Sequence, residues 1–389
     1  MNPWPVIRAL FARQRNSALL FTALVALAVA IGVAITSQER VLREGSARAA
    51  DKFDLIVAAP GSQTDLLMSI VYLRPTAVEL MRASDVAKAL GEERAALAAP
   101  IAFGDSFEGC TIIGTTAAFV DHLSAGLVDG RMFEASDEAV VGAAVPLAIG
   151  GRFEPVHGHG PEALLAEEED HHGFEIEVVG RMAPTGTPWD DAIVVPVELV
   201  WEAHALPNGH ALDDHLIGPL FDPSALPGVP AVVMTPSSVA AAYGLRSEYR
   251  TASTTAFFPA EVLVQLYDVL RDVGGIMLFL ALAFQALVVA ATLAGVLAIM
   301  ELYRTELAVL RALGATRGYV FSVVWGYVTL FVLAGTLLGL VLGVLVVIGI
   351  STAFAADTGI ALTVRLGQEE LMLAAGLVAV GSAIAILPA

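Results

Sequence analysis

The chain is short of the residues on which several functions depend. It has one cysteine, Cys110, among 389 residues, so neither an intrachain disulfide nor a Cys-rich zinc site can form. No Cys/His signature accompanies Cys110, and it reads as a small buried side chain rather than a nucleophile. There are two lysines, Lys52 and Lys88, neither preceded by glycine. A Walker-type phosphate loop needs a lysine directly after its glycine-rich turn, so an ATP site of that kind is excluded. Nothing reads as a nucleophile elbow or a His-Glu-x-x-His metalloprotease helix, and the chain is expected to be non-catalytic. Basic residues are few overall, 21 Lys+Arg against 40 Asp+Glu for a formal charge of -19. Nucleic-acid binding replaces counterions with a basic surface, and this balance argues against it.

Apolar residues are abundant instead. They make up 56% of the sequence, and the mean hydropathy of +0.72 implies a membrane protein. The negative charge is concentrated: between Ser37 and Asp272 there are 14 Lys+Arg against 35 Asp+Glu, a balance of -21, and the remainder has 7 against 5. The acidity belongs to one hydrophilic domain. A cationic or metal partner would suit it, and solubility alone would also account for it.

Taken in order, residues 1–16 form a tail with Arg8, Arg13 and Arg15, and residues 17–36 are an unbroken apolar run. Twenty residues at about 1.5 Å each make roughly 30 Å, one hydrocarbon core. A cleaved signal peptide is the rival reading, but the run exceeds a usual h-region and no small-x-small site directly follows it. Residues 37–272 read as a mixed α/β extracytoplasmic domain entered and left through helical stalks. Strands are expected at Phe53 to Ala59, Ala139 to Val145, Phe174 to Val179, Ala192 to Val197 and Ala231 to Thr235, and helices at Ser84 to Leu97, Thr116 to Leu123 and Val197 to His204. Leu66 to Leu73 fits either a strand or a short helix. Pro/Gly-rich stretches at Pro184 to Pro188 and Pro219 to Pro230 are candidate divisions of the domain into two lobes.

A second span is expected at 273–300, where Gln285 would bond across helices, and a third at 319–350. There Gly335, Gly339 and Gly343 recur every four residues and form a close-packing face toward the chain's own spans or a second copy. A loop at 351–370 and a last span at 371–389 complete the expected fold class, four transmembrane α-helices (1+3) with the large domain inserted between the first and second. Both termini and residues 301–318 then share one side. The arginines assign that side to the cytoplasm.

Two stretches carry candidate chemistry. Glu301 to Arg317 reads as an amphipathic helix, with Leu302, Leu307, Leu310 and Leu313 apolar, Arg304, Glu306, Arg311 and Arg317 polar, and Gly314 as its C-terminal signal. Seven of the eight histidines lie from His157 to His215, and His157, His159, His171 and His172 flank Glu167-Glu168-Glu169-Asp170. Imidazole with carboxylate is a normal shell for Zn²⁺, and a flexible loop could gather those four histidines as ligands. The plainer alternative is a solvated acidic loop, since the spacing matches no rigid zinc motif.

With its layout, the run Arg304-Thr-Glu306-Leu-Ala-Val-Leu310-Arg311-Ala-Leu313-Gly314-Ala315 resembles the MacB/FtsX-like ABC transporter permease family. The stretch Gly130-Arg131-Met-Phe133 followed by Asp137 and Val140-Val141-Gly142 is similar to a pattern of its outer domain. The resemblance implies an inner-membrane, multi-pass permease of bacteria with its large domain in the periplasm. It implies a homodimer whose copies each bind a separate cytoplasmic ATPase through Arg304, Glu306, Leu310, Arg311, Leu313 and Gly314. Movement would pass from that coupling helix to the periplasmic domain and its protein or metal-linked partner. Division-type relatives imply an alternative, a membrane receptor that activates a periplasmic hydrolase or binding protein without transport. Segments Asp54 to Ser62, Thr185 to Asp190 and Val195 to Trp201 are similar to a branch encoded beside zinc-responsive, His-rich periplasmic proteins, which is consistent with Zn²⁺ at the His-rich loop and with no directly bound cofactor besides. The family usually ends in a short basic tail, whereas this chain ends at Pro388-Ala389, so that last ATPase contact is expected to be missing or truncated.

Overall fold

The computed structural model describes residues 2–74, 76–157, 175–211, 216–384 and 386. In chain order the first half holds α1 (Trp4–Arg13), α2 (Arg15–Ala50), β1 (Leu55–Ala58), α3 (Gln63–Ile70), α4 (Ala83–Leu90), β2 (Ala95–Phe107), β3 (Cys110–Thr115), α5 (Ala117–Ser124), β4 (Leu127–Gly130), β5 (Glu138–Val141), β6 (Arg152–Phe153) and β7 (Val156–His157). The second half holds β8 (Ile176–Met182), a 3-10 turn (Pro188–Asp191), β9 (Ile193–Pro196), α6 (Val197–Ala203), β10 (Ala231–Pro236), α7 (Val239–Glu248), β11 (Thr255–Phe257), α8 (Pro259–Leu302), α9 (Arg304–Ala312), α10 (Arg317–Thr358) and α11 (Gln368–Ile384). They divide into a helical unit, Met1–Arg43, Asp268–Ala353 and Leu362–Ala389, and a mixed unit, Glu44–Tyr267 with Phe354–Ala361.

Among the described residues, three helices are long and apolar enough to cross a membrane: α2, α8 through Leu278–Gly295, and α10. α2 has 36 residues, roughly 54 Å at about 1.5 Å each, so it outruns a hydrocarbon core of roughly 30 Å. The 42 residues of α10 do the same. The expected loop from Ser351 is corrected here, because residues 351–358 continue α10; an apolar helix with neither Pro nor a cap before Thr358 has no reason to stop sooner. α11 has 17 residues, at the lower limit for a span.

The helices meet where side chains are smallest. A Cβ built on Gly335 would lie 2.8 Å from Thr22 O, one on Gly339 2.5 Å from Ala26 O, and one on Gly343 2.8 Å from Val33 Cβ. Three bare patches thus let α10 close on α2, whose Val25, Ala26, Val29 and Val33 are buried. Gln285 is also buried, but among the described residues its Nε2 has no hydrogen-bond partner. That amide nitrogen lies against α2 at Gly32, where a Cβ would stand 2.8 Å from it.

The mixed unit is built on a sheet ordered β11-β1-β10-β2-β3-β9-β5-β8-β4, with β6 on β8 and β7 on β2 among the described residues. β2 joins its two halves: Leu97 to Ile101 pair with β10 and Ala102 to Phe107 with β3, with an irregularity between Phe103 and Ser106. One continuous sheet therefore crosses the expected lobe division. Its core holds Leu55, Val57, Val141, Val178, Ile193, Val195, Trp201 and Val232.

Helix was expected through Leu97, but α4 ends at Leu90 with Gly91 as its cap, and it starts after Arg82 rather than Ser84. From Ala95 the alanine-rich chain is a strand, because pairing with β10 overrides the helix preference of alanine. Leu66 to Leu73 resolves as α3, whose Ser62 cap accepts from Asp65 N at 3.2 Å.

Candidate functional site

α9 is a short helix isolated by its two ends. α8 stops at Leu302, and Tyr303 breaks the helical path with φ -95° and ψ 9°. At the other end Gly314 takes φ +99°, a conformation that glycine adopts without a Cβ penalty. Gly314 N donates to Arg311 O at 3.0 Å and Ala315 N to Leu310 O at 3.0 Å. Those two bonds are a Schellman ending, completed by the apolar contact of Leu310 with the buried Ala315. The expected helix over Glu301 to Arg317 is thus three pieces: the end of α8, α9, and the start of α10.

Between these ends α9 is largely open. Glu306 and Arg311 are exposed, Arg304 and Glu301 are 79% and 76% exposed by side chain, and Leu313 is 79% exposed. Glu306 in the first turn and Arg311 in the last oppose the helix dipole at each end and stabilise it modestly. The Arg304–Glu301 pair at 3.4 Å is solvated and worth little. Of the expected apolar face, Leu310 packs inward, whereas Leu313 stands in the open, displaced outward by the turn at Gly314. The arrangement leaves Val309 and Leu313, one helical turn apart and both exposed, between charges of both signs.

The sequence reading missed what holds α9. Residues 1–16 were expected to be a tail, yet α1 is a helix started by Pro3 and Pro5 near its first positions. Its Ile7, with Leu10 and Phe11, packs on Ala315 and Tyr319. Gln14 Nε2 donates to Tyr303 Oη at 2.9 Å, and the Arg13 guanidinium lies 5.7 Å from the Tyr303 ring centroid. Both hinges of α9 are therefore fixed to α1. The spacing of Val6, Ile7, Leu10 and Phe11 was the available signal.

Residues 276–389 match the FtsX-like permease C-terminal family. This part of the chain is similar to the C-terminal domain of FtsX-like permeases. A search among curated proteins found no match. Among solved structures, the periplasmic region of MacB from Actinobacillus actinomycetemcomitans is similar at 10% identity and a TM-score of 0.35, over 57% of this chain and 95% of that one. The extracellular domain of the noncanonic ABC-type transporter YknZ from Gram-positive bacteria is similar at 13% identity and a TM-score of 0.30, over 52% of this chain and 98% of that one. Likeness at those scores carries no functional argument here.

Two further features were not legible in the sequence. Glu370, fully buried, accepts from Arg40 Nη1 at 2.9 Å, Ser37 Oγ at 3.0 Å and Gly367 N at 2.7 Å. The other is the last turn of α10, which belongs to the mixed unit. Arg74 Nη2 donates to Asp357 O at 2.6 Å, Arg48 Nη1 to Ala361 O at 3.0 Å, and Ala361 N to Gly186 O at 3.1 Å. Gly359, at φ +69°, sits so close that a Cβ would lie 2.6 Å from Asp191 Oδ2. The same segment helps line a cavity of about 460 Å³ with Arg74, Cys110 and Asp191. Burial, with neighbouring Asp190, raises the Asp191 carboxyl above its usual range, and burial raises the Cys110 thiol, which does not suit a reactive nucleophile.

Of the expected metal ligands, His159, His171 and His172 lie outside the described residues, and His157 is placed by its backbone in β7. Among the described residues no group of three or more His, Cys, Asp or Glu is gathered as a metal shell.

Proposed function

We propose that the chain is the permease subunit of an ABC-type mechanotransmission complex in the bacterial inner membrane. α2, α8, α10 and α11 are its four spans, with the mixed domain in the periplasm and α9 in the cytoplasm, where it docks a separate ATPase. The observation that carries this reading is the path of α10. It is one unbroken helix of 42 residues, about 63 Å long, that starts three residues after the capped end of α9 and ends in main-chain hydrogen bonds within the mixed unit. A push on α9 has a continuous rod to travel along. Two copies act together in this reading, each with its own ATPase. The His-rich segment, with His157, His159, His171 and His172 as ligands, links the periplasmic domain to Zn²⁺.

The docking step is tested with Glu306→Ala and Arg311→Ala in one chain. Both side chains are exposed, so the purified permease should keep its melting temperature within a degree or two. Co-purification of the ATPase and stimulation of its activity should fall at least tenfold. Unchanged co-purification and stimulation would sink the proposal.

A further inference from the structure

Two aspartates stand side by side at the end of the 3-10 turn, and the fold uses only one of them. Asp190 accepts Thr185 N and Thr185 Oγ1 at 2.8 Å and Gly186 N at 2.7 Å, so its carboxylate closes the turn. Asp191 takes no hydrogen bond and forms no ion pair among the described residues. It lines the cavity of about 460 Å³ instead, with its Oδ2 against the backbone of Gly359. Burial and Asp190 both oppose its charge there, and a cation in the cavity relieves both.

The β2–β3 hairpin brings a second carboxylate to the same cavity. Phe107 pairs with Cys110, which leaves Glu108 and Gly109 as a two-residue loop with φ +48° and +86°. Positive φ at both positions is the pattern of a type I′ turn, where Asn, Asp or Gly are the usual residues. Glu108 is exposed and has no ion pair among the described residues; its charge and that of Asp191 both act on the Cys110 thiol. A third carboxylate, Asp357, comes from the last turn of α10. That turn also holds the one positive group, since Arg74 Nη2 donates to Asp357 O. A guanidinium has five N–H donors, and among the described residues this is the one hydrogen bond that the Arg74 side chain makes. A carbonyl leaves its charge uncompensated. Every lining residue belongs to the mixed unit.

The cavity therefore presents three carboxylates and one guanidinium, all with open hydrogen-bonding positions. Its volume falls within the range of small-molecule sites, roughly 300–1,000 Å³, which far exceeds the space one ion needs. We propose that it binds a small molecule carrying two ammonium groups and one carboxylate: a basic amino acid of the lysine type, free or as the end of a short peptide. The ammonium groups go to Asp191 and to Glu108 or Asp357. The ligand carboxylate meets the open edge of Arg74, a pairing that the planar guanidinium favours. An occupant ties the last turn of α10 to the hairpin and the 3-10 turn. The inference goes beyond the proposed function and rests on neither ATPase docking nor Zn²⁺.

The test uses the full-length protein in detergent near pH 7, titrated calorimetrically with L-lysine and, separately, with L-alanyl-L-lysine, which keeps the same three charged groups. Saturable binding is expected, and the tighter probe identifies the source. Norleucine, without the side-chain ammonium, and cadaverine, without the carboxylate, should each bind at least tenfold more weakly than lysine. Asp191→Asn should weaken the tighter probe at least tenfold. Arg74→Gln, whose amide can still donate to Asp357 O, should erase the preference for lysine over cadaverine. Both side chains are exposed, so the variants should fold, and the norleucine and cadaverine comparisons need no variant at all. Hydrogen exchange at Ala356 to Gly359 should slow on binding in the wild-type protein and stay unchanged in Asp191→Asn. No saturable binding of either probe up to about 10 mM, unchanged affinity in Asp191→Asn, or equal binding of lysine and cadaverine by the wild-type protein would overturn the proposal.

Discussion

Each of the two units is stabilised internally by different means. In the helical unit the closest contacts are between backbones, with Gly335, Gly339 and Gly343 of α10 pressed on α2, and Arg40–Glu370 brings a buried carboxylate. In the mixed unit the strands are stitched by main-chain ladders, and the rim carries paired charges such as Arg131–Glu138, Arg94–Glu92 and Arg152–Glu177. The difference follows from the solvent each faces. Lipid gives apolar side chains no reason to prefer one another, so association depends on how closely helices approach. Water rewards a buried core and tolerates charge at its edge.

The comparison breaks most sharply at Gly339. A leucine there has its Cβ 2.5 Å from Ala26 O, and backbone cannot yield as a side chain can, so the cost is about 3 kcal/mol or more. Thermal unfolding in detergent should drop steeply, whereas Gly349→Leu, with nothing within 4 Å of the added Cβ, should stay within about 0.5 kcal/mol of the parent. Equal losses at both positions would show that the seam does not hold the helices. The next effect is at Glu370. Glu370→Ala removes the acceptor of Arg40, Ser37 and Gly367, and because Arg40 is 25% exposed by side chain the loss is about 2–3 kcal/mol, toward the lower part of the range for a broken buried pair. Arg40→Met should cost a similar amount, and the double variant less than the sum of the two if they act as one unit.

Much of this was readable in advance, for reasons tied to particular residues. The apolar runs of α2, α8 and α10 are too long for a soluble core, Gly314 announced the end of α9, and the four-residue glycine repeat announced a packing face. What could not be read was anything set by distant pairing. Ala95 to Leu97 look helical until β10 is placed beside them. Glu370 has no visible partner in sequence, since Arg40 is 330 residues away. Of the site, the charged face of α9 is visible in the sequence, but α1 is not, because a ten-residue helix has little propensity signal of its own.

The smallest effect sharpens the other side of the comparison. Arg131 donates to both carboxylate oxygens of Glu138, and that hydrogen-bonded guanidinium, aided by the Glu134 and Ala135 amides, holds the Glu138 carboxyl down at about 2. Arg94 does the same for Glu92, also to about 2. A carboxylate whose folded value lies below its unfolded value of 4.5 contributes stability that is complete above that unfolded value and is lost as pH falls toward 2. The rim of the sheet should therefore loosen first in acid. Hydrogen exchange at β5 and β8 should accelerate between about pH 4.5 and 2, while amides along the glycine seam of α2 and α10, which has no titrating group, hold their protection over the same range. Arg131→Gln should flatten the acid dependence at β5 and leave that of the Arg94–Glu92 corner in place. If β5 keeps its full acid dependence in that variant, the rim charges are ornament on a fold already fixed by its ladders.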